Sequence, residues 1–310
     1  MMNPGGRRTD FEPDDCIPRG GAGTPVCLIL LAFVLFSCAI RHHAPFAEGL
    51  PEQRNLSAFE KRLQKAVAAS AHLRMENIGQ VDYPVFQATL LRIHFQAVPS
   101  PRYRVLISAA IHGNEPAAAE TATRLVEDLS ESPQKYRNAA IDIVPLINPW
   151  GWVHDIRYNQ AGIDINRDFA SFNSQEAVII RHLLTDSAYD VMVDLHEDPT
   201  ARGFYLYQYG LDDKSACEKI VATIQGMGYP IEQDVSMVIL KTENGIIEAP
   251  MWGLWYMRLT GQLSITNYCR LNNSRFVFTV ETPASLLWED RLKMQQTAVA
   301  ILLEQYTGDR

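Results

Sequence analysis

His112 and Glu115 stand three positions apart in His112-Gly113-Asn114-Glu115, directly after the apolar run Val105-Leu106-Ile107-Ser108-Ala109-Ala110-Ile111. Imidazole and carboxylate both suit zinc, and a catalytic zinc commonly takes three protein ligands plus water. Alone the pair is a half-site, because His-x-x-Glu is frequent by chance. His196 supplies a third donor, following the strand-like run Tyr189 to Leu195. A histidine placed by a buried strand has its direction fixed by the backbone, although on its own it reads as structural more often than as a ligand.

Hydrolysis at such a centre also needs a base and a means of stabilising an oxyanion. Glu281 ends the run Phe276 to Val280 and precedes Thr282-Pro283. A carboxylate there is costly unless it is paired or faces a polar site, and it could take and return a proton. Between the candidate ligands lie Asn148-Pro149-Trp150-Gly151, then Arg157, then Gly162-Ile163-Asp164-Ile165-Asn166-Arg167-Asp168-Phe169. Two solvated arginines would need no explanation. Beside a metal, one guanidinium can stabilise an oxyanion and another can grip a carboxylate in a bidentate pair.

The elements that must position these groups alternate along the chain. Ser57-Ala58-Phe59-Glu60 has the form of a capping box and opens a helix expected to run to about Met75, with Gly79 and Pro84 as punctuation. Strands are predicted at Val85 to Phe95, Arg104 to Ala110, Ala140 to Leu146, Tyr189 to Leu195 and Phe276 to Val280. Helices are predicted at Pro116 to Leu129, Ser174 to Thr185, Lys214 to Gly226 and Leu286 to Tyr306. This pattern predicts an α/β fold, a three-layer α/β/α sandwich around a mixed, mostly parallel sheet. No internal repeat or long linker divides residues 45–310, which read as one catalytic domain. In such sheets the active site lies beyond the C-terminal ends of the strands.

A net charge of -8 and the lack of a concentrated Lys/Arg stripe argue against a nucleic-acid partner. Residues 1–44 are excluded from the domain. Met1 to Thr24 is rich in Gly, Pro and charge, and Val26 to Phe36 is an apolar run too short to span a bilayer unless its flanks join in. It fits a signal-peptide core. Leu35-Phe36-Ser37-Cys38 resembles a bacterial lipoprotein processing box, with Cys38 lipidated and the protein anchored in the periplasm or cell envelope. An uncleaved anchor and another secretory signal are the alternatives, since Asp10, Glu12, Asp14 and Asp15 outweigh the leader's three arginines. Cys217 and Cys269 could pair in an oxidising compartment, but isolated cysteines more often stay buried thiols.

The ordered set over roughly residues 85 to 306 resembles the zinc metallocarboxypeptidases, the carboxypeptidase A-like peptidases of family M14. The resemblance implies one zinc ion held by His112, Glu115 and His196, with Glu281 as general base and Arg157 polarising the scissile carbonyl. It further implies that Asn166 and Arg167 bind a substrate's terminal carboxylate and that Asp164 orients the first histidine. Tyr256 is a candidate for the family's mobile tyrosine, although its surroundings do not match. Glu115 and His196 lie closer in sequence than in the digestive enzymes. Glu197-Asp198-Pro199 replaces their small residue and tyrosine. Glu197, Asp198, Glu243 and Glu248 could face a cationic substrate or solvent.

The implied activity is metal-promoted hydrolysis of a peptide or peptidoglycan-peptide bond near a free carboxylate. The main alternative is an N-acyl amino-acid amidohydrolase resembling aspartoacylase or succinylglutamate desuccinylase, for which His-Gly-Asn-Glu is equally suitable. A noncatalytic peptide-binding module is the lesser alternative.

Overall fold

A computed structural model of the chain describes residues 54–233, 236–237, 240–272 and 274–308. The leader, its apolar segment and Cys38 lie outside the described residues.

Helix α1 (Leu56–Ala68) leads into strands β1 (Leu73–Asp82), β2 (Gln87–Gln96) and β3 (Tyr103–Ala109). Then come α2 (Pro116–Glu131), β4 (Ala139–Val144), the short α3 (Pro149–His154), a 3-10 turn at Ile165–Arg167, and α4 (Gln175–Asp186). The second half contains β5 (Val191–Asp198), β6 (Tyr205–Tyr209), α5 (Ser215–Gly226), and the short strands β7 (Ser236–Met237), β8 (Leu240–Lys241) and β9 (Ile246–Ala249). Helices α6 (Met251–Leu259) and α7 (Ile265–Leu271), strand β10 (Phe276–Pro283) and helix α8 (Trp288–Thr307) complete it.

Eight strands form one sheet in the order β1-β2-β4-β3-β5-β10-β6-β9. The central four, β4, β3, β5 and β10, are mutually parallel, while β1–β2, β2–β4 and β10–β6 pair antiparallel. Strand alternation divides the core into two layers. Val105, Ile107, Val191, Val193, Phe278 and Val280 pack with residues of α1, α2, α5 and α8. Leu106, Met192 and Val277 pack on the other face with α4, α6 and α7. This is the expected three-layer sandwich.

Four details depart from the sequence expectation. The cap of α1 is Asn55, whose Oδ1 accepts from Ala58 N at 3.0 Å, so the helix starts before Ser57. That helix ends at Ala68, and Leu73 to Met75, expected at its end, open β1 instead, a strand whose partly exposed faces show no clean alternation. Gly79 is no exit signal. It follows an irregularity in β1 and lies against α4, where a Cβ would meet Ile179 at 2.6 Å. Strands β5 and β10 also run on through His196 and Glu281, because their parallel ladder continues to Asp198 and Pro283.

Cys217 and Cys269 are both free, buried thiols in opposite core layers.

Candidate active site

The C-terminal edge of the parallel strands gathers the predicted chemistry. Chain reversal after β3 begins at Ala110, a non-glycine residue with φ of 50°. The carbonyl of Ala110 accepts from Asn148 N at 3.0 Å, tying the β3 exit to the β4 exit. The two loops then touch. Gly113 lies so close to Gly151 that a Cβ there would fall 1.9 Å from the Gly151 carbonyl carbon. This contact requires a glycine at position 113, whereas a Cβ at Gly151 would meet the Asn148 amide nitrogen at 2.5 Å and the Ile156 carbonyl at 2.6 Å. Asn148 caps α3, accepting from Gly151 N at 2.9 Å, and its amide nitrogen lies 3.2 Å from the carbonyl of Arg157.

Glu115 stands immediately before α2, with Pro116 opening the helix. His112, Glu115 and His196 are all buried, and their donor atoms lie within 4.8 Å of one another. Glu115 Oε1 is 2.6 Å from His112 Nδ1 and Oε2 is 2.7 Å from His196 Nδ1. Burial pushes the Glu115 carboxyl up, but His112 and His196 outweigh it and hold the group well below the ordinary carboxylate range. Two imidazoles and a carboxylate converging on one point, each able to turn a lone pair inward, fit a single zinc ion.

Both imidazoles are held from behind by a carboxylate. Asp164 Oδ1 is 3.2 Å from His112 Nε2, as the resemblance implied. Asp194 Oδ2 is 2.7 Å from His196 Nε2, and Ser108 Oγ donates to its other oxygen. In each ring, Nε2–H donates outward, leaving Nδ1 with a lone pair for metal. The sequence reading missed Asp194. The period-two rule for strands could have found it, because it shares a face with His196.

Arg157 donates from Nε to Asp164 Oδ2 at 3.0 Å, and its Nη1 lies 3.2 Å from His112 Nδ1. The guanidinium therefore borders the space between the ligands. Burial raises the Asp164 carboxyl, but His112 and Arg157 overcome that and hold it well below its usual value.

Glu281 is the register partner of His196 on β5 and of Tyr205 on β6. Burial pushes its carboxyl well above the ordinary range, with the nearby His196 pulling it back. Beside it, β6 presents a tyrosine ladder that sequence reasoning did not single out. Tyr205 and Tyr207 ring centroids are 5.7 Å apart, and Tyr207 and Tyr209 are 6.1 Å apart. Burial raises Tyr205 and Tyr207 far above the usual phenol value, with the Glu281 charge adding to it. These rings are neutral donors next to the candidate base.

Asn166 is buried in the 3-10 turn. Its Oδ1 accepts from Ile265 N at 3.1 Å, and its Nδ2 lies 3.3 Å from His196 Nε2. With that nitrogen protonated toward Asp194, the Asn166 amide hydrogens remain available for a ligand. Arg167 is half-buried and donates to the Asn166 carbonyl at 2.8 Å. Tyr256 sits half-buried on α6, and no hydrogen bond links its hydroxyl to the triad.

The acidic residues offered as substrate contacts separate. Glu197 is wholly buried on the opposite face, bound to Arg291. Asp198 accepts from Tyr205 OH at 2.8 Å. Glu243 and Glu248 pair with Lys214 near the surface.

Fold and donor set together define a zinc-metallopeptidase fold with a two-histidine, one-carboxylate metal centre. The sequence model for the succinylglutamate desuccinylase/aspartoacylase catalytic domain matches residues 101–242, which include the three ligands and Arg157 but not Glu281. Carboxypeptidase 2 of Trichophyton tonsurans is 26% identical over 127 residues, 39% of this chain. That match spans only 23% of the carboxypeptidase. A candidate metallopeptidase from Shewanella denitrificans superposes with a TM-score of 0.69 at 19% identity, covering 82% of this chain and 92% of that one. A metallo-carboxypeptidase from Burkholderia cenocepacia superposes with a TM-score of 0.57 at 18% identity, covering 80% and 67%. The chain is thus related in fold to the M14 carboxypeptidases, and in sequence also to the succinylglutamate desuccinylase/aspartoacylase family.

Proposed function

We propose that the protein is a zinc-dependent amide hydrolase acting next to a free carboxylate, with an N-acyl amino acid as the favoured substrate class. The observation that carries the hydrolytic reading is the buried His112–Glu115–His196 triad with Arg157 against His112 and Glu281 in register beside His196. Zinc in such a set supplies Lewis acidity toward water and the amide carbonyl at neutral pH. Glu281 takes the proton of the attacking water and passes it to the departing nitrogen, a role suited by its raised proton affinity. Arg157, fixed by Asp164, stabilises the negative charge that develops on the carbonyl oxygen. Arg167 and the amide hydrogens of Asn166 hold the carboxylate of the substrate. No covalent acyl-enzyme is needed.

The domain match over residues 101–242 favours the deacylase over the peptide-cleaving reading. Peptide hydrolysis is the second reading, favoured by the extent of the structural likeness to the Shewanella denitrificans candidate metallopeptidase. A panel of N-acyl amino acids beside dipeptides, longer peptides and peptidoglycan fragments, assayed with and without chelator, tests the pair. Faster chelator-sensitive release from acylated single amino acids supports the proposal. Preference for peptides moves the assignment to the second reading, and no turnover of any amide sinks both. The leader read from the sequence would put this reaction in the cell envelope, which fractionation of the native protein checks.

A further inference from the structure

Behind the metal centre, on the face away from Arg157 and Asp164, a buried polar cluster joins three elements. Glu197 follows His196 on β5, and its side chain is 0% exposed against 3% for Arg291 of α8. Arg291 Nη1 donates to Glu197 Oε1 at 2.5 Å. The other carboxylate oxygen accepts from Ala117 N at 2.7 Å, in the first turn of α2. One turn along α8, Gln295 Nε2 donates to the His196 carbonyl at 2.9 Å and to Thr282 Oγ1 on β10 at 3.1 Å. The Glu197 amide N–H donates to Glu115 Oε2 at 3.2 Å.

These contacts tie together the backbones that carry the metal donors. Glu115 precedes α2 by one residue and His196 precedes Glu197 by one, so the Glu197–Ala117 bond spans the gap between two ligand-bearing segments. Arg291 balances the carboxylate that makes the bond, and Gln295 fixes the peptide of His196. A buried ion pair is weak evidence for a stabilising role, because an apolar pair of similar volume often serves stability as well or better. Its place, bonded to the backbone of two ligand-bearing segments, points instead to geometry.

We infer that Glu197, Arg291 and Gln295 are positioning residues for the metal centre, setting the separation of Glu115 from His196 and thereby zinc affinity. The inference rests on the metal triad and is independent of which amide is cleaved.

The experiment compares wild type with E197M/R291M, E197Q, R291K and D142N. The readouts are zinc affinity by chelator competition, the visible spectrum of the cobalt-substituted protein, and melting of the metal-free protein. E197M/R291M removes both charges together but leaves the Ala117 N–H without its acceptor, so a modest fall in the metal-free melting temperature is expected, no larger than that of D142N. Its zinc affinity is expected to fall by about 10–100-fold, with an altered cobalt spectrum. E197Q leaves Arg291 unpaired and is expected to lose zinc affinity in the same range. R291K keeps the charge pair and is expected to recover most of the affinity. D142N disturbs the buried contacts of Asp142 on β4 with His94 and Tyr189, and should lower melting without changing zinc affinity. Wild-type affinity and cobalt spectrum in E197M/R291M overturn the inference; if that variant does not fold, the same result in E197Q does so. Equal loss of zinc affinity in D142N also overturns it, since the effect would then be general destabilisation. Failure of wild type to bind zinc would remove the triad assignment itself.

Discussion

Asp194 and His196, two residues apart on one face of β5, share a hydrogen bond of 2.7 Å between Oδ2 and Nε2. The carboxylate fixes the tautomer that leaves Nδ1 free for metal. Asp194→Asn can still accept a hydrogen bond, but with less charge behind the ring. Zinc affinity is expected to fall by about 10–100-fold, measured by chelator competition. Unchanged affinity would mean that β5 alone fixes the ring.

The base and the ligands separate by experiment. Glu281→Gln keeps the size of the side chain but cannot take a proton. Turnover is expected to drop by about 10²–10⁴-fold, with zinc content by metal analysis still one per chain. By contrast, Glu115→Gln or His196→Ala should lose the metal and activity together. An active Glu281→Gln enzyme would displace Glu281 from the base role.

Arg157 is positioned by Asp164 and borders the donor space of His112. Arg157→Met should lower kcat by about 10²–10³-fold, with zinc retained and KM changed less. The reverse pattern, a raised KM at constant kcat, would make Arg157 a ground-state binding group.

Much of this was legible in sequence because the chemistry sits at strand ends. Each apolar run directed attention to the residue after it, and so to His112, His196 and Glu281. Asp194 escaped because it lies inside such a run, where a carboxylate is tolerated only with partners that come from other strands. Glu197 was misread for a related reason. Its neighbour His196 faces the site, so Glu197 must face away, but only the position of α8 shows that Arg291 meets it there. The first residues of β1, Leu73 to Met75, were read as the end of the preceding helix and the rest as its exit, because the strand's partly exposed faces carry no clean alternation. The tyrosines of β6 gained meaning only from pairing with β10, a long-range contact.

A pH effect should arise far from the metal. His94 Nδ1 lies 2.6 Å from Asp142 Oδ1, and Tyr189 OH donates to Asp142 at 2.7 Å. The Asp142 hydrogen bond raises the His94 pKa above its ordinary 6.5, although burial opposes it. For Asp142, burial raises the pKa, but His94 and Tyr189 outweigh it and leave the group below 3.8. The histidine contribution is full below 6.5 and is lost as pH rises through the raised value. The aspartate contribution is present above 3.8 and is lost as pH falls through the lowered value. Wild type should therefore exceed His94→Gln in melting temperature at pH 5 by more than at pH 9. Equal differences at both pH values would remove the pair as the cause.

Gly113→Ala tests the loop contact. Its new methyl would strike Gly151 backbone, which cannot rotate away. A loss of about 1–3 kcal/mol or more is expected from denaturant unfolding, together with weaker zinc binding. Normal stability and affinity would show that the loops can slide apart.

The contact between Gly113 and Gly151 has a consequence for how this scaffold can change its substrate. It welds the turn bearing two metal donors to the loop that leads into Arg157, so neither can be redrawn without disturbing the other. New specificity would have to be written on elements outside that weld. The tyrosine ladder of β6 runs alongside Glu281, but its rings are buried and Tyr205 and Tyr209 are hydrogen-bonded, so change there would have to exchange one packed side chain for another of similar size.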